Sequence, residues 1–229
     1  GFDPLDPVSI RADVEDLRAA IGRGVRDLRI GIPRSPFFEQ LHPEIDAAAK
    51  QMLDVLVGLT SPTRDVRIET PDTYALLDAE TYAYHAPLVA DAAKRALYDP
   101  LTLQRIMGGA SVTAQVYIEQ RRRMTIARNT IADVFRDVDV LVAPTCMTMP
   151  ETIEAVLENP AGEPSLIRNT LPFNVLGIPA INVPCGFTRG GLPIGMQIIG
   201  PRLGEARVLA LAHAYEQATD WHRREPPIA

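Results

Sequence analysis

Ala180-Ile181-Asn182-Val183-Pro184-Cys185-Gly186-Phe187 and Leu192-Pro193-Ile194-Gly195-Met196-Gln197-Ile198-Ile199 flank the four residues Thr188-Arg189-Gly190-Gly191. Two runs rich in β-branched and apolar residues around a glycine pair predict an antiparallel hairpin, because glycine supplies the positive φ that a tight turn needs. A helix is predicted after Gly204, with Val208, Leu211, Ala212 and Tyr215 on its buried side.

Upstream, helical and strand-like patterns alternate. Val138 to Ala143 reads as a buried strand stopped by Pro144, and Leu28 to Pro33 as a shorter one closed by proline. Pro43 suits the first turn of a helix whose apolar face is Ile45, Ala49, Met52 and Leu56. Ser9 is placed to cap an earlier helix carrying Ile10, Val14, Leu17 and Ile21 on one face. Arg64 to Glu69 is a further strand candidate. Pro71 to Val134 reads as mostly helical, with breaks near Pro87, at Asp99-Pro100 and at Gly108-Gly109. Thr145 to Pro164 reads as a loop with one short helix. Helices alternating with strands and one late hairpin predict an α/β fold with a mixed β-sheet layered with helices. No linker or internal repeat divides the chain.

The 229 residues are 46% hydrophobic and 23% charged, enough to fill a sizeable core. A net charge of −6 argues against a nucleic-acid surface, and Arg121-Arg122-Arg123 is too short a run to reverse it. No apolar stretch is long enough to span a bilayer, so no membrane partner is expected. Cys146 and Cys185 are too few for a disulfide framework, and a reducing, cytoplasmic setting is the default. Neither cysteine has a histidine at a spacing that argues for a pair, and His42, His85, His213 and His222 form no metal-binding pattern. No metal and no cofactor is expected. Gly108-Gly109 is followed by no P-loop lysine and reads as a helix break. The chain begins at Gly1-Phe2-Asp3-Pro4 without an initiator methionine, as a segment cut from something longer would.

Arg168 to Phe187, with Asn169-Thr170-Leu171-Pro172-Phe173-Asn174 leading into Gly177-Ile178-Pro179, resembles the carboxy-terminal region of amidase-signature enzymes. Gly191 to Gly200, the helix Val208 to Ala218, Trp221, Asp139 to Thr145, Leu28 to Phe38 and Gly1 to Pro7 match the same family in order. The resemblance implies that residues 1–229 are the carboxy-terminal half of a single amidase domain of α/β/α fold. It further implies a hydrolase that cleaves carboxamides with a nucleophilic serine, a second serine in a cis peptide and a lysine. In the family these lie in a glycine- and serine-rich signature upstream of the region present. Here the serines are Ser9, Ser35, Ser61, Ser111 and Ser165, scattered, and the lysines only Lys50 and Lys94. No catalytic residue is therefore assigned, and this chain alone is expected to be inactive. The implied partners are a small amide substrate and the missing amino-terminal half, which would also cover apolar surface. A homo-oligomer is compatible with an unprotected sheet edge.

Candidate substrate-binding residues follow from where α/β proteins place ligands, at strand ends. They are Thr145, Cys146 and Met147 after Pro144, and Asn174 in a predicted rigid loop running to Pro179. Asn174 could equally orient that loop through its side chain. In the family's tRNA-dependent amidotransferases an arginine and an acidic residue contact glutamine; an ungapped match puts Met124 and Ile167 there. Both departures favour a plain amidase with a less polar pocket, although Arg122, Arg123 and Arg168 stand close enough to compensate for a shifted register. A non-catalytic remnant that binds a partner is the alternative from another class.

Overall fold

The hairpin forms around its glycines. Gly191 takes φ +83°, Thr188 N donates to Leu192 O at 2.8 Å, and Gly191 N donates to Thr188 O at 2.9 Å. The computed structural model describes residues 1–6, 8–13, 15–159 and 164–225. In chain order the elements are α1 (Leu17–Ala20), β1 (Ile30–Ile32), α2 (Arg34–Phe37), α3 (Pro43–Leu59), β2 (Arg64–Asp65) and α4 (Tyr74–Ala90). There follow α5 (Ala92–Arg95), α6 (Pro100–Gly108), α7 (Ala114–Asp137), β3 (Val140–Pro144), α8 (Ile153–Glu158) and α9 (Leu171–Leu176). The hairpin strands β4 (Ala180–Phe187) and β5 (Pro193–Ile199) and the helix α10 (Glu205–Ala218) complete the set.

The five strands make one mixed sheet in the order β2-β1-β3-β5-β4. β1 is parallel to both β2 and β3, while β5 runs antiparallel to β3 and β4. Both faces of β3 are covered, which explains its unbroken apolar run. Val140 and Val142 join Ile30, Ile32, Met196 and Ile198 in a core closed by α3 and α10. Leu141 and Ala143, one residue out of phase, face a second core closed by Ala127 and Ile131 of α7 and by Phe173 and Leu176 of α9. Burying a side chain such as Leu211 or Ile198 completely contributes about 1.5–3 kcal/mol. The entrance to β1 is clamped to that of β3: Arg29 Nε lies 3.0 Å from Asp139 Oδ2, and Arg29 N donates to the same oxygen at 2.9 Å. The guanidinium, with Arg207 behind it, holds the Asp139 carboxyl below the usual carboxylate range.

Several sequence expectations are met. Pro43 opens α3, with Ile45, Ala49, Met52 and Leu56 buried, and Asp99 caps α6 through Thr102 N. Others need correction. The helix expected from Ser9 does not form; α1 is a single turn capped by Asp16, and Ile10, Leu17 and Ile21 are exposed. Val14, on the same predicted face, lies outside the described residues, as do Pro7 and Pro160. Arg64 to Glu69 yields a strand of two residues at the sheet edge. Pro87 does not break α4, because it sits near the helix end and removes one hydrogen bond there; the break comes at Asp91, which caps α5. The loop expected over Asn174 to Pro179 begins later than predicted. Pro172 occupies the first turn of α9, where a missing N–H costs nothing, and Asn174 is helical.

Candidate functional site

The chain leaves β3 through Pro144 into a turn held by buried polar side chains. Asn169 is 1% exposed and donates through Nδ2 to Phe37 O and to Pro144 O, both at 2.9 Å. Gln197, from the interior strand β5, donates through Nε2 to Asn169 O at 2.7 Å and Pro144 O at 3.3 Å. Arg168 Nη2 donates to Glu39 O at 2.7 Å, tying the same segment to the chain after α2. A buried amide left unpaired is costly, so these side chains fix the turn relative to three other parts of the chain. On its outer side, Thr145 N donates to Gly195 O at 3.1 Å and His42 N donates to Met147 O at 2.8 Å.

The turn forms one wall of a cleft of about 330 Å³, at the lower end of small-ligand sites. Thr145, Cys146, Thr148 and Met149 line it from the loop, Ile45 from α3, and Asn182, Pro184 and Ile194 from the hairpin. Leu166 stands at its margin, and no Asp, Glu, Lys, Arg or His is among the described lining residues. Thr145 Oγ1 donates to Asn182 Oδ1, across the gap between loop and hairpin. Asn182 in turn lies flat on Gly195: a Cβ there would stand 2.3 Å from Asn182 Oδ1, so only glycine leaves room for this arrangement.

Of the four residues singled out in the sequence, the cleft gathers two. Thr145 and Cys146 line it; the Met147 side chain turns inward and is buried, and Asn174 is exposed on α9 outside the lining. Asn182 was not anticipated, since alternation along a predicted strand carries no sign that one polar position meets a loop. Its nearest sequence signal is Gly195 on the partner strand, an otherwise unexplained glycine. Desolvation raises both thiols: Cys185, fully buried, is pushed up to about 12, and Cys146 is raised too although its residue is exposed. Neither has a base. His42 comes beside the Cys146 loop, but its Nδ1 is engaged by Glu44 N at 3.3 Å. His85 Nδ1 is 2.7 Å from Tyr98 Oη. Among the described residues no group of His, Cys, Asp and Glu could hold a metal, and no helix is long and apolar enough to cross a membrane.

Comparison with known proteins gives this arrangement a context. A family model described as Amidase matches residues 2–209. An amidase of Pseudomonas putida is 31% identical over 245 residues, which cover 100% of this chain and 51% of that protein. The glutamyl-tRNA(Gln) amidotransferase A-subunit of Chloroflexus aggregans is 34% identical over 263 residues, covering 100% and 52%. A bacterial aryl acylamidase of the amidase signature family superposes with a TM-score of 0.75 at 26% identity, over 97% of this chain and 50% of its own. The 6-aminohexanoate cyclic dimer hydrolase superposes with a TM-score of 0.82 over 99% and 52%; at 20% identity this is a likeness of fold alone. The chain spans about half the length of the relatives it matches.

Proposed function

Because this chain belongs to the amidase family, we propose that it is the carboxy-terminal half of an amidohydrolase that cleaves carboxamide C–N bonds. The nucleophilic serine, relay serine and lysine are placed outside it. One observation carries the reading: the whole chain aligns with half of each relative, and it offers no serine–lysine constellation of its own. Lys50 is ion-paired with Asp46 on α3, and Lys94 stands exposed on α5. In the intact enzyme the relay serine takes the nucleophile's proton, the nucleophile attacks the amide carbon, and the amine leaves with a proton; water then releases the acid. This half contributes a rigid wall for the substrate. Thr145 and Cys146 face it directly, Met147 anchors the loop that carries them, and the exposed Asn174 meets substrate beyond the cleft.

The plain-amidase reading is favoured over a glutamine-dependent amidotransferase. Met124, at the position expected to hold an arginine, is buried against Leu76 and Val175 as a packing residue. Of the neighbouring arginines, Arg168 is committed to Glu39 O, Arg123 is ion-paired with Glu119, and Arg122 stands exposed on α7. The test compares residues 1–229 with protein from the complete reading frame, on a chromogenic anilide and a small aliphatic amide. Hydrolysis is expected only from the latter. Turnover by residues 1–229 alone, lost on changing a residue within them, would mean the active site has been misplaced. No turnover by either would favour a non-catalytic remnant.

A further inference from the structure

The cleft beside the Pro144 turn shows more than its place. Its described walls are Ile45, Met149, Pro184, Ile194 and Leu166, and among its described lining residues the only ionisable group is the Cys146 thiol. A carboxylate or ammonium entering it would lose hydration against these apolar walls, which therefore select against charge. One end is polar. Asn182 accepts from Thr145 through Oδ1, and its NH2 donates to no other described residue. Asn182 is exposed; the Thr145 hydroxyl holds its Oδ1, and it lies close over Gly195, where a Cβ would stand 2.3 Å from that oxygen.

We propose that this cleft takes an uncharged aryl or branched aliphatic substituent of the amide substrate, with the Asn182 NH2 donating to a carbonyl or ether oxygen at its polar end. The proposal rests on the amidohydrolase reading and adds to it the substrate class and a binding residue. It also explains why the cleft is built from prolines and β-branched residues: stiff walls bind an apolar group without losing side-chain freedom.

The experiment uses protein from the complete reading frame. Turnover of a neutral anilide is compared with that of glutamine, for wild type, Asn182→Ala and Leu166→Glu; Leu166 is 41% exposed, so its replacement leaves the core intact. The neutral anilide is expected to be the better substrate. Asn182→Ala should raise its KM about fivefold with kcat nearly unchanged, the effect of one neutral hydrogen bond. Leu166→Glu should lower kcat/KM for the anilide about tenfold, by putting a carboxylate at the margin of an apolar site. An active enzyme that prefers glutamine, or whose anilide KM is unmoved by both substitutions, overturns the cleft assignment while sparing the amidohydrolase reading. If the protein cleaves no amide, that reading fails, and alkylation of Cys146 judges the cleft by itself. Slower N-ethylmaleimide labelling in the presence of acetanilide supports it; an unchanged rate overturns it.

Discussion

The two sides of this molecule are built to different standards of closure. Around β3 and β5 the chain is sealed on both faces: Leu141, Met196, Ile198, Ile199 and Leu211 are fully buried, and the polar groups at the Pro144 turn are paired. The helices α4 and α7 share with α9 a far smaller core, in which Leu76 and Met124 meet Val175. Leu77, Tyr84, Ile118 and Ile126 on the same helices stand exposed. A sheet can be self-sufficient because it buries two faces within a few strands. A helical layer with apolar residues on both its sides needs a second surface, and here only one is present.

Replacing Leu211 with alanine should break the sealed side most severely. A loss of about 2–5 kcal/mol is expected in urea unfolding, from lost burial and the cavity left behind. Next comes Asn169→Ala, which strands the buried Phe37 O and leaves Pro144 O with only the longer bond from Gln197 Nε2; about 1–3 kcal/mol should be lost in the same measurement, together with order at the Thr145–Met147 turn.

Asp139→Asn comes third, at about 1–2 kcal/mol once solvent screening of the half-open Arg29 is allowed for. Its pH dependence has a definite sign. The folded Asp139 carboxyl is held below its unfolded value, so its stabilisation is present above the unfolded pKa, near ~3.9, and fades as pH falls through the folded one. The wild type should therefore lose stability more steeply than the variant on acidification below about pH 4. Ile126→Ser should do least: a change within about 0.5 kcal/mol for residues 1–229, since the side chain is already 62% exposed. A large loss there would show that the helical layer is better closed than its exposure indicates.

The sealed side was also the legible one. β4, β5 and α10 could be read because turn glycines, period-two alternation and a helical stripe all point the same way. Residues 9–21 carry an equally good stripe and form almost no helix: periodicity states what a helix would bury, not that a surface exists to bury it against. Pro172 and Pro87 misled in opposite directions, since proline is harmless in a first turn and tolerated near a last one. Within the candidate site, Thr145 and Cys146 were readable from the strand-end rule. Asn169, Asn182 and Gln197 were not. A polar residue in an apolar run looks like a surface position until its partners, from far along the chain, are in place.

The clamp between Arg29 and Asp139 joins residues 110 positions apart, and β1 pairs with β3 just beyond it. β4 and β5, by contrast, are neighbours across a tight turn. The order of assembly follows from the entropy of closing these loops. The hairpin can close within about 1–10 microseconds of becoming free to do so. β1 leaves the ribosome long before β3 exists, and must wait through the synthesis of the whole helical layer for the partner that lies between it and the hairpin. During that interval Ile30 and Ile32 have only the two-residue strand β2 beside them. The stretch around Arg29 to Pro33 therefore gains its central sheet neighbour late in synthesis.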